Sequence, residues 1–340
     1  MSLVVWIAIF IKFIAHLKVY MDDVFSFNDE SDFTYYPPYQ TSYPSKQTKL
    51  LLLWDELGIP HDKSKQVWGR KLEIIGFLVD PNNLSIEFPP EKRALLIDHI
   101  EEFAVHRLRW TLREYLRVAG WCNWAFNVFP LLRPGLSALY QKTRGKKKMF
   151  AAIQINKRMV IELHWIKRHL QTCPGILLLD SLHWNPFTDE CSKVYVDAST
   201  SKGLGFWFPD INVGYQSPVP AVLPCSNIDF LEALAVCSAV RASIHLPHSP
   251  HRLAIYSDST FAVDIFSSLR ADSPYNQILM TSIDDVLLHH IDFRVLHVAG
   301  MDNTIADALS RFDNLRAEVF SPGIQINPFT PPSKAIGLSS

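Results

Sequence analysis

The segment HVAGMDNTIADALSR, residues 297–311, changes periodicity half-way along. Its approach, Phe293, Val295 and His297, alternates as a strand does. Its second half places Ile305, Leu309 and Phe312 at helical spacing, so Asp307 is an acid early in a helix with an apolar inner face. Working outward, VYVDAS (194–199) and LAIYSDS (253–259) are apolar strands that end in Asp197 and Asp258. The spacing predicts strands over Val194–Asp197, Leu204–Phe208, Leu253–Asp258 and Phe293–Val298. A helix is expected over Asn227–Ile244, capped by Ser226 and Asp229, with Phe230, Ala233, Leu234, Cys237, Val240 and Ile244 inward. Glu232 follows Leu231 in that otherwise apolar helix. These elements define a mixed α/β domain over 191–313, about 120 residues and an ordinary domain size.

An unpaired carboxylate is costly beside a core, so acids at strand ends there want a cation or a mouth to solvent. One such acid reads as a cap or turn residue. Asp197, Glu232, Asp258 and Asp307 together, in matching strand and helix contexts and without a His/Cys set, suit a hard oxygen-seeking ion, Mg²⁺ or Mn²⁺.

At 340 residues the chain is too long for one ordinary core, and 48% hydrophobic against 20% charged residues excludes a disordered chain. Five cysteines without a CxxC exclude a disulfide framework and a zinc ribbon, and fit a reducing, intracellular compartment, cytoplasm or nucleus. His245, His248 and His251 read as a proline-broken surface loop, with zinc as the alternative. The net charge of −1 hides an uneven distribution: residues 91–172 carry 16 basic and 6 acidic residues, leaving 17 and 28 for the rest. A basic middle between acidic ends suits a polyanion-binding protein with acidic metal sites. Arg144, Lys146, Lys147 and Lys148 form the densest run. It reads either as a solvated helix end or, closing so basic a segment, as a phosphate contact together with Arg133.

Met1–Leu17 is apolar but short for a membrane span, interrupted by Lys12 and His16, and lacks a cleavage signal. It is expected to be a buried helix entering a buried strand, with an anchor as the alternative. VYMDDVFSF (19–27) then reads as a buried strand pair turning at Asp22 and Asp23. Residues 31–46 are expected to be a loop and Leu50–Leu57 a helix. Strands are expected over Ile74–Val79 and Leu84–Phe88 around an Asp80-Pro81-Asn82-Asn83 turn, and a helix over Glu91–Phe103. Thr111–Tyr140 is helical and crowded with aromatics. Beyond Asp313, a Pro-, Ser- and Asn-rich composition predicts a flexible tail over 314–340.

Val194–Phe312 resembles a retroelement ribonuclease H domain, through YVDAS, the helix with its Glu, YSDS and the closing H-V-A-G-x-D-N-x-x-A-D-A-L-S-R. The resemblance implies metal-ligand roles for Asp197, Glu232, Asp258 and Asp307. It also implies a product-release role for His297, which reads equally as a strand-end core histidine. Tyr20-Met21-Asp22-Asp23 is similar to the Y-x-D-D box of reverse transcriptases, whose aspartates bind metal in the palm. Leu57-Gly58-Ile59-Pro60, with Lys63 or Lys65, and Ile75–Asp80 resemble later palm motifs and the primer grip. Leu112–Leu139 looks like the thumb and 151–190 the connection. DIRS-like or gypsy-like elements are the nearest resemblance, and Asn327–Pro332 looks like the linker that follows the domain in DIRS-like elements.

The architecture so implied is α/β and multidomain: a partial palm (1–90), a helical thumb (91–150), a connection (151–190), a ribonuclease H-like domain with a mixed sheet (191–313) and the tail. Its partner would be an RNA–DNA hybrid or other nucleic acid, with no membrane. The nineteen residues before Tyr20 contain no acid. The fingers and the first palm aspartate are therefore expected to be missing, Met1 to be internal to a longer frame, and polymerase activity to be lost unless another chain supplies the rest. The expected reaction is two-metal hydrolysis of the RNA strand, and the competing expectation is a catalytically dead nucleic-acid-binding relic.

Overall fold

The apolar runs that end in acids lie side by side in one mixed sheet. The computed structural model describes residues 2–246 and 249–337. The strands are β1 (Ser192–Ala198), β2 (Gly203–Phe208), β3 (Val213–Pro218), β4 (Arg252–Ser257), β5 (Asp292–His297) and β6 (Gln325–Pro328), in the order β5-β4-β1-β2-β3-β6. β1, β2 and β3 run antiparallel as consecutive hairpins, whereas β4 is parallel to β1, β5 to β4 and β6 to β3. Val196 pairs with Ser257, so the residues that follow them, Asp197 still within β1 and Asp258 just past β4, come side by side at the carboxyl ends of the two strands.

Helix α1 (Ile228–Ser243) is buried nearly all round, as expected of a helix enclosed on both sides. It packs on β1 and β2 and against α3 (Tyr275–Leu288), while α2 (Thr260–Ser268) lies against β4 and β5. Val194, Val196, Phe206, Leu234, Ile255 and Ile278 are fully buried in this core. The N-cap of α1 is Asn227, whose Oδ1 accepts from Phe230 N at 3.0 Å, and not Ser226 or Asp229. On the other face of the sheet, α4 (Thr304–Ser310) and α5 (Asn314–Phe320) bury Leu309 and Ala317 beside Trp207.

The flexible tail expected over 314–340 is instead part of this fold through residue 337; residues 338–340 lie outside the described ones. β6 completes the sheet, the Phe329 ring lies 4.7 Å from that of Phe206, and Ala335 and Ile336 are buried in the main core. Composition misleads here because a strand with one neighbour needs little apolar sequence of its own. Ile336→Ala is therefore expected to cost about 2–4 kcal/mol in urea denaturation. A tail dispensable for folding would give no measurable loss.

The chain divides into two units, one running to Pro89 and taking in Ile176–Leu179, the other comprising Pro90–Gly175 and the described residues from Asp180 on. In the first unit, Lys18–Tyr20 and Asp23–Phe25 form the expected hairpin, with Tyr20 opposite Asp23 and Met21 at φ 54°. The hairpin is exposed and not buried: no third strand joins it among the described residues, and Met21 is 77% accessible. The preceding helix, Ser2–Phe10, is likewise open on one side, with Leu3, Trp6 and Phe10 exposed and Ala8 buried.

Residues 31–46 are largely a hairpin, Phe33–Tyr36 with Thr41–Pro44, because Tyr36 and Tyr43 pack with Leu51 of helix Ser45–Leu57. The Tyr36 hydroxyl donates to Asp55 Oδ2 at 2.6 Å. The single strand expected over Ile74–Val79 is a hairpin, Leu72–Ile74 with Phe77–Asp80, since Ile75 and Gly76 both take positive φ and reverse the chain. Ser85–Glu87 and Ile176–Leu178 extend it to four antiparallel strands.

The basic segment of the second unit is helical, over Pro90–Phe103, Leu112–Ala125, Ser137–Thr143 and Lys157–Thr172. Thr111 and Glu114 form a reciprocal capping box that starts the second of these helices. Buried Glu162 accepts from Ala138 N, Arg158 Nε and Asn276 Nδ2, which ties the basic helices to α3.

Candidate active site

β1 delivers Asp197 at the middle of the sheet and β4 delivers Asp258 beside it, while the first turns of α1 carry Glu232 underneath. One carboxylate oxygen from each of the three lies within 4.8 Å of the others. Asp197 and Glu232 are both 5% accessible and Asp258 is half-buried. Glu232 Oε1 accepts from Ala198 N at 3.1 Å, whereas its buried Oε2 has no hydrogen-bond partner. Burial, then the charges of Asp197 and Asp258, push Glu232 up to about 9. Burial likewise raises Asp197 to about 6, against a hydrogen bond from Ser310 Oγ to its Oδ2 and with help from Asp258 and Asp307.

Three converging carboxylates with an unpartnered buried oxygen fit a hard divalent ion. Asp197, Glu232 and Asp258 are the residues that would hold it.

Asp307 does not close on this group. It is held at its rim by two arginines, with Oδ1 accepting from Arg311 Nε and Oδ2 from Arg316 Nη1, each at 2.6 Å. Burial works to raise its pKa, but these two guanidiniums outweigh burial and hold it below the usual carboxylate value. His297 ends β5 opposite Ser257, one residue before Asp258, and its side chain is exposed. The reading of His297 as a core histidine is therefore set aside, because the packed layer that covers Val295 stops short of it.

Several neighbours give no sequence signal as single residues. Ser310 anchors Asp197, and Asn303 Nδ2 donates to Val196 O at 2.8 Å, fixing the loop beside the acids. A Cβ on Gly300 would sit 3.2 Å from Asp258 Oδ2. Gly205 lies opposite Asp197 on β2, and a Cβ there would meet Ser310 N at 2.4 Å and Ala306 O at 2.8 Å. Only glycine lets α4 approach this closely. Gly205→Ala is expected to destabilise the chain by about 1–3 kcal/mol, read in thermal denaturation, because both obstacles are backbone atoms. An unchanged melting temperature would contradict that.

Asp22 and Asp23 are exposed at their hairpin and, among the described residues, belong to no group of three metal-competent side chains. The same holds for His245 and His251, while His248 lies outside the described residues. Arg133 and Arg144 through Lys148 are exposed. Arg144 pairs with Asp272 at 3.5 Å. With Lys146 and Lys147 it rims a groove of about 560 Å³ floored by Leu112, Leu116 and Tyr140. No helix among the described residues is long and apolar enough to cross a membrane.

No family model matches the chain, and no curated protein matches it. Solved structures do. The chain is similar to a ribonuclease H1 of the archaeon Halobacterium salinarum, at 16% identity and TM-score 0.29, over 36% of this chain and 98% of that one. A Mycobacterium tuberculosis ribonuclease H domain aligns at 16% identity and TM-score 0.28, over 38% and 99%. A foamy viral protease-reverse transcriptase in complex with double-stranded DNA aligns at 14% identity and TM-score 0.36, over 86% of this chain; the chain spans 47% of that protein's length.

Proposed function

We propose that the chain is a retroelement reverse transcriptase/ribonuclease H fragment whose domain over 191–313, extended by β6 and its flanks, hydrolyses the RNA strand of RNA–DNA hybrids. The observation that carries this is the Asp197–Glu232–Asp258 group at the carboxyl edge of a mixed sheet, with a buried Glu232 oxygen left unpartnered. Strand order and the sequence resemblance over 194–312 support the same reading. Mg²⁺ or Mn²⁺ bound there supplies activation of the attacking water and stabilisation of the leaving 3′ oxygen. The chain's own contributions are separate. Ser310 and Ala198 N fix the carboxylates of Asp197 and Glu232, burial keeps both acids 5% accessible, and exposed His297, opposite Ser257, would meet a departing product strand.

The helical region over 91–150 acts as a thumb and 151–190 as the connection in this proposal. Hybrid geometry and 2′-hydroxyls would be read rather than bases. DNA polymerase activity is lost in the same reading, because exposed Asp22 and Asp23 have no third carboxylate beside them among the described residues. An intracellular site of action, in cytoplasm or nucleus, follows from the nucleic-acid substrate and the unpaired thiols.

The test is cleavage of a labelled RNA–DNA hybrid by the full chain with Mg²⁺ or Mn²⁺. Cleavage of the RNA strand alone is expected. A folded sample that binds the hybrid and leaves it intact would establish the non-catalytic relic instead. Affinity should fall steeply with salt, and alanine at Lys146, Lys147 and Lys148 should lower the log–log salt slope by about 1 for each phosphate no longer neutralised. An unchanged slope would place the nucleic acid elsewhere.

A further inference from the structure

We propose that Arg311 and Arg316 form a clamp on Asp307 that substrate phosphate releases. Without nucleic acid the two guanidiniums hold this carboxylate apart from Asp197, Glu232 and Asp258; a backbone phosphate takes the guanidiniums over and frees Asp307 to join them. The clamp rests on the nuclease reading above and adds the control of its fourth acid.

Each Asp307 oxygen is held by one guanidinium, Oδ1 by Arg311 Nε and Oδ2 by Arg316 Nη1, so the two arginines fix where this carboxylate points, and it lies outside the group formed by Asp197, Glu232 and Asp258. Arg311 alone would be an ordinary pair one helical turn along. Arg316 is different, because the chain must reverse to deliver it. Phe312 takes φ 60° after α4, Asp313 Oδ1 accepts from Arg316 N at 3.1 Å to cap α5, and buried Ala317 pins that helix to the core beside Leu309. The side chains of Arg311 and Arg316 remain 55% and 40% accessible, which leaves N–H groups open to a ligand at the mouth of the site.

Guanidinium forks fit phosphate as well as carboxylate, and exposed ion pairs are weak enough to exchange. A mouth lined by carboxylates alone would repel a polyanion, and these arginines are the countercharge beside it. They are positioning residues: they act on the site through Asp307.

The experiment is titration of the full chain with Mn²⁺, read by the electron paramagnetic resonance of the free ion, for the parent, Asp197→Asn, Arg316→Gln and Arg311→Gln. Without nucleic acid, both arginine variants are expected to bind a second ion up to about 5-fold more tightly than the parent, the fold-change that one released exposed ion pair is worth. A short DNA duplex should tighten the parent's second ion and leave Arg316→Gln unchanged. Arg311→Gln, altering the more exposed side chain, keeps the test decisive if Arg316→Gln fails to fold. Unchanged second-ion affinity in the folded variants, with Asp197-dependent binding of the first, overturns the clamp alone. No Asp197-dependent Mn²⁺ binding by the parent overturns the nuclease reading and the clamp with it.

Discussion

Asp197→Asn is expected to abolish hybrid cleavage, lowering the rate by about three decades or more, while the chain stays folded. Asp197 sits on a central strand, is 5% accessible, and lies with Glu232 and Asp258 in one group of converging carboxylates. A metal site contributes several kcal/mol to stabilising charge in a phosphodiester transition state, and each 1.36 kcal/mol is a decade in rate. Asparagine keeps the shape and an oxygen for the Ser310 hydroxyl, so the lost property is the charge that attracts the ion. Removing a buried carboxylate raised to about 6 should leave metal-free stability equal or higher at neutral pH. Circular dichroism and single-turnover cleavage of the parent and variant, side by side, check both halves. A variant that cleaves within about tenfold of the parent would remove Asp197 from the reaction.

What could be read from sequence was whatever a strand or helix writes into its own residues. VYVDAS and LAIYSDS announce themselves because a strand between two neighbours is apolar along its length and its terminal acid stands out. Val213–Pro218 and Gln325–Pro328 do not, because VGYQSP and QINP carry the glycine, proline and amides of turns. Pairing with β2 and β3 makes them strands, and that pairing is a tertiary fact. The hairpin hidden in Ile74–Val79 is the opposite case: an apolar run looks continuous although Ile75 and Gly76 turn it at positive φ.

The acids follow the same division. Asp197, Glu232 and Asp258 converge because their elements do. Asp307 looks equivalent in sequence, and the Asp307–Arg311 spacing of four is visible there, but Arg316 reaches Asp307 only because the chain doubles back after Phe312. Ser310, Asn303 and Gly205 are ordinary residues as letters; their importance lies in what stands opposite them.

Glu232→Gln is expected to stabilise the metal-free chain and to remove its response to metal. Glu232 moves from 4.5 to about 9 on folding, so above its unfolded value the unfolded state gives up a proton that the folded state keeps. Stability of the metal-free parent therefore falls as pH rises from about 4.5 towards about 9. Glutamine has no such proton, and its side-chain oxygen still accepts from Ala198 N. At pH 7.5 it should gain on the order of 2–4 kcal/mol over the parent in EDTA, with little difference at pH 4.5. Mg²⁺ or Mn²⁺ should raise the parent's melting temperature, more so at higher pH because the ligands must be deprotonated, and should move the variant much less. Urea denaturation at pH 4.5, 7.5 and 9, in EDTA and in metal, measures all of this. A variant less stable than the parent in EDTA at every pH would mean that Glu232 is a structural hydrogen-bonding group, and that its unpartnered oxygen was never waiting for an ion.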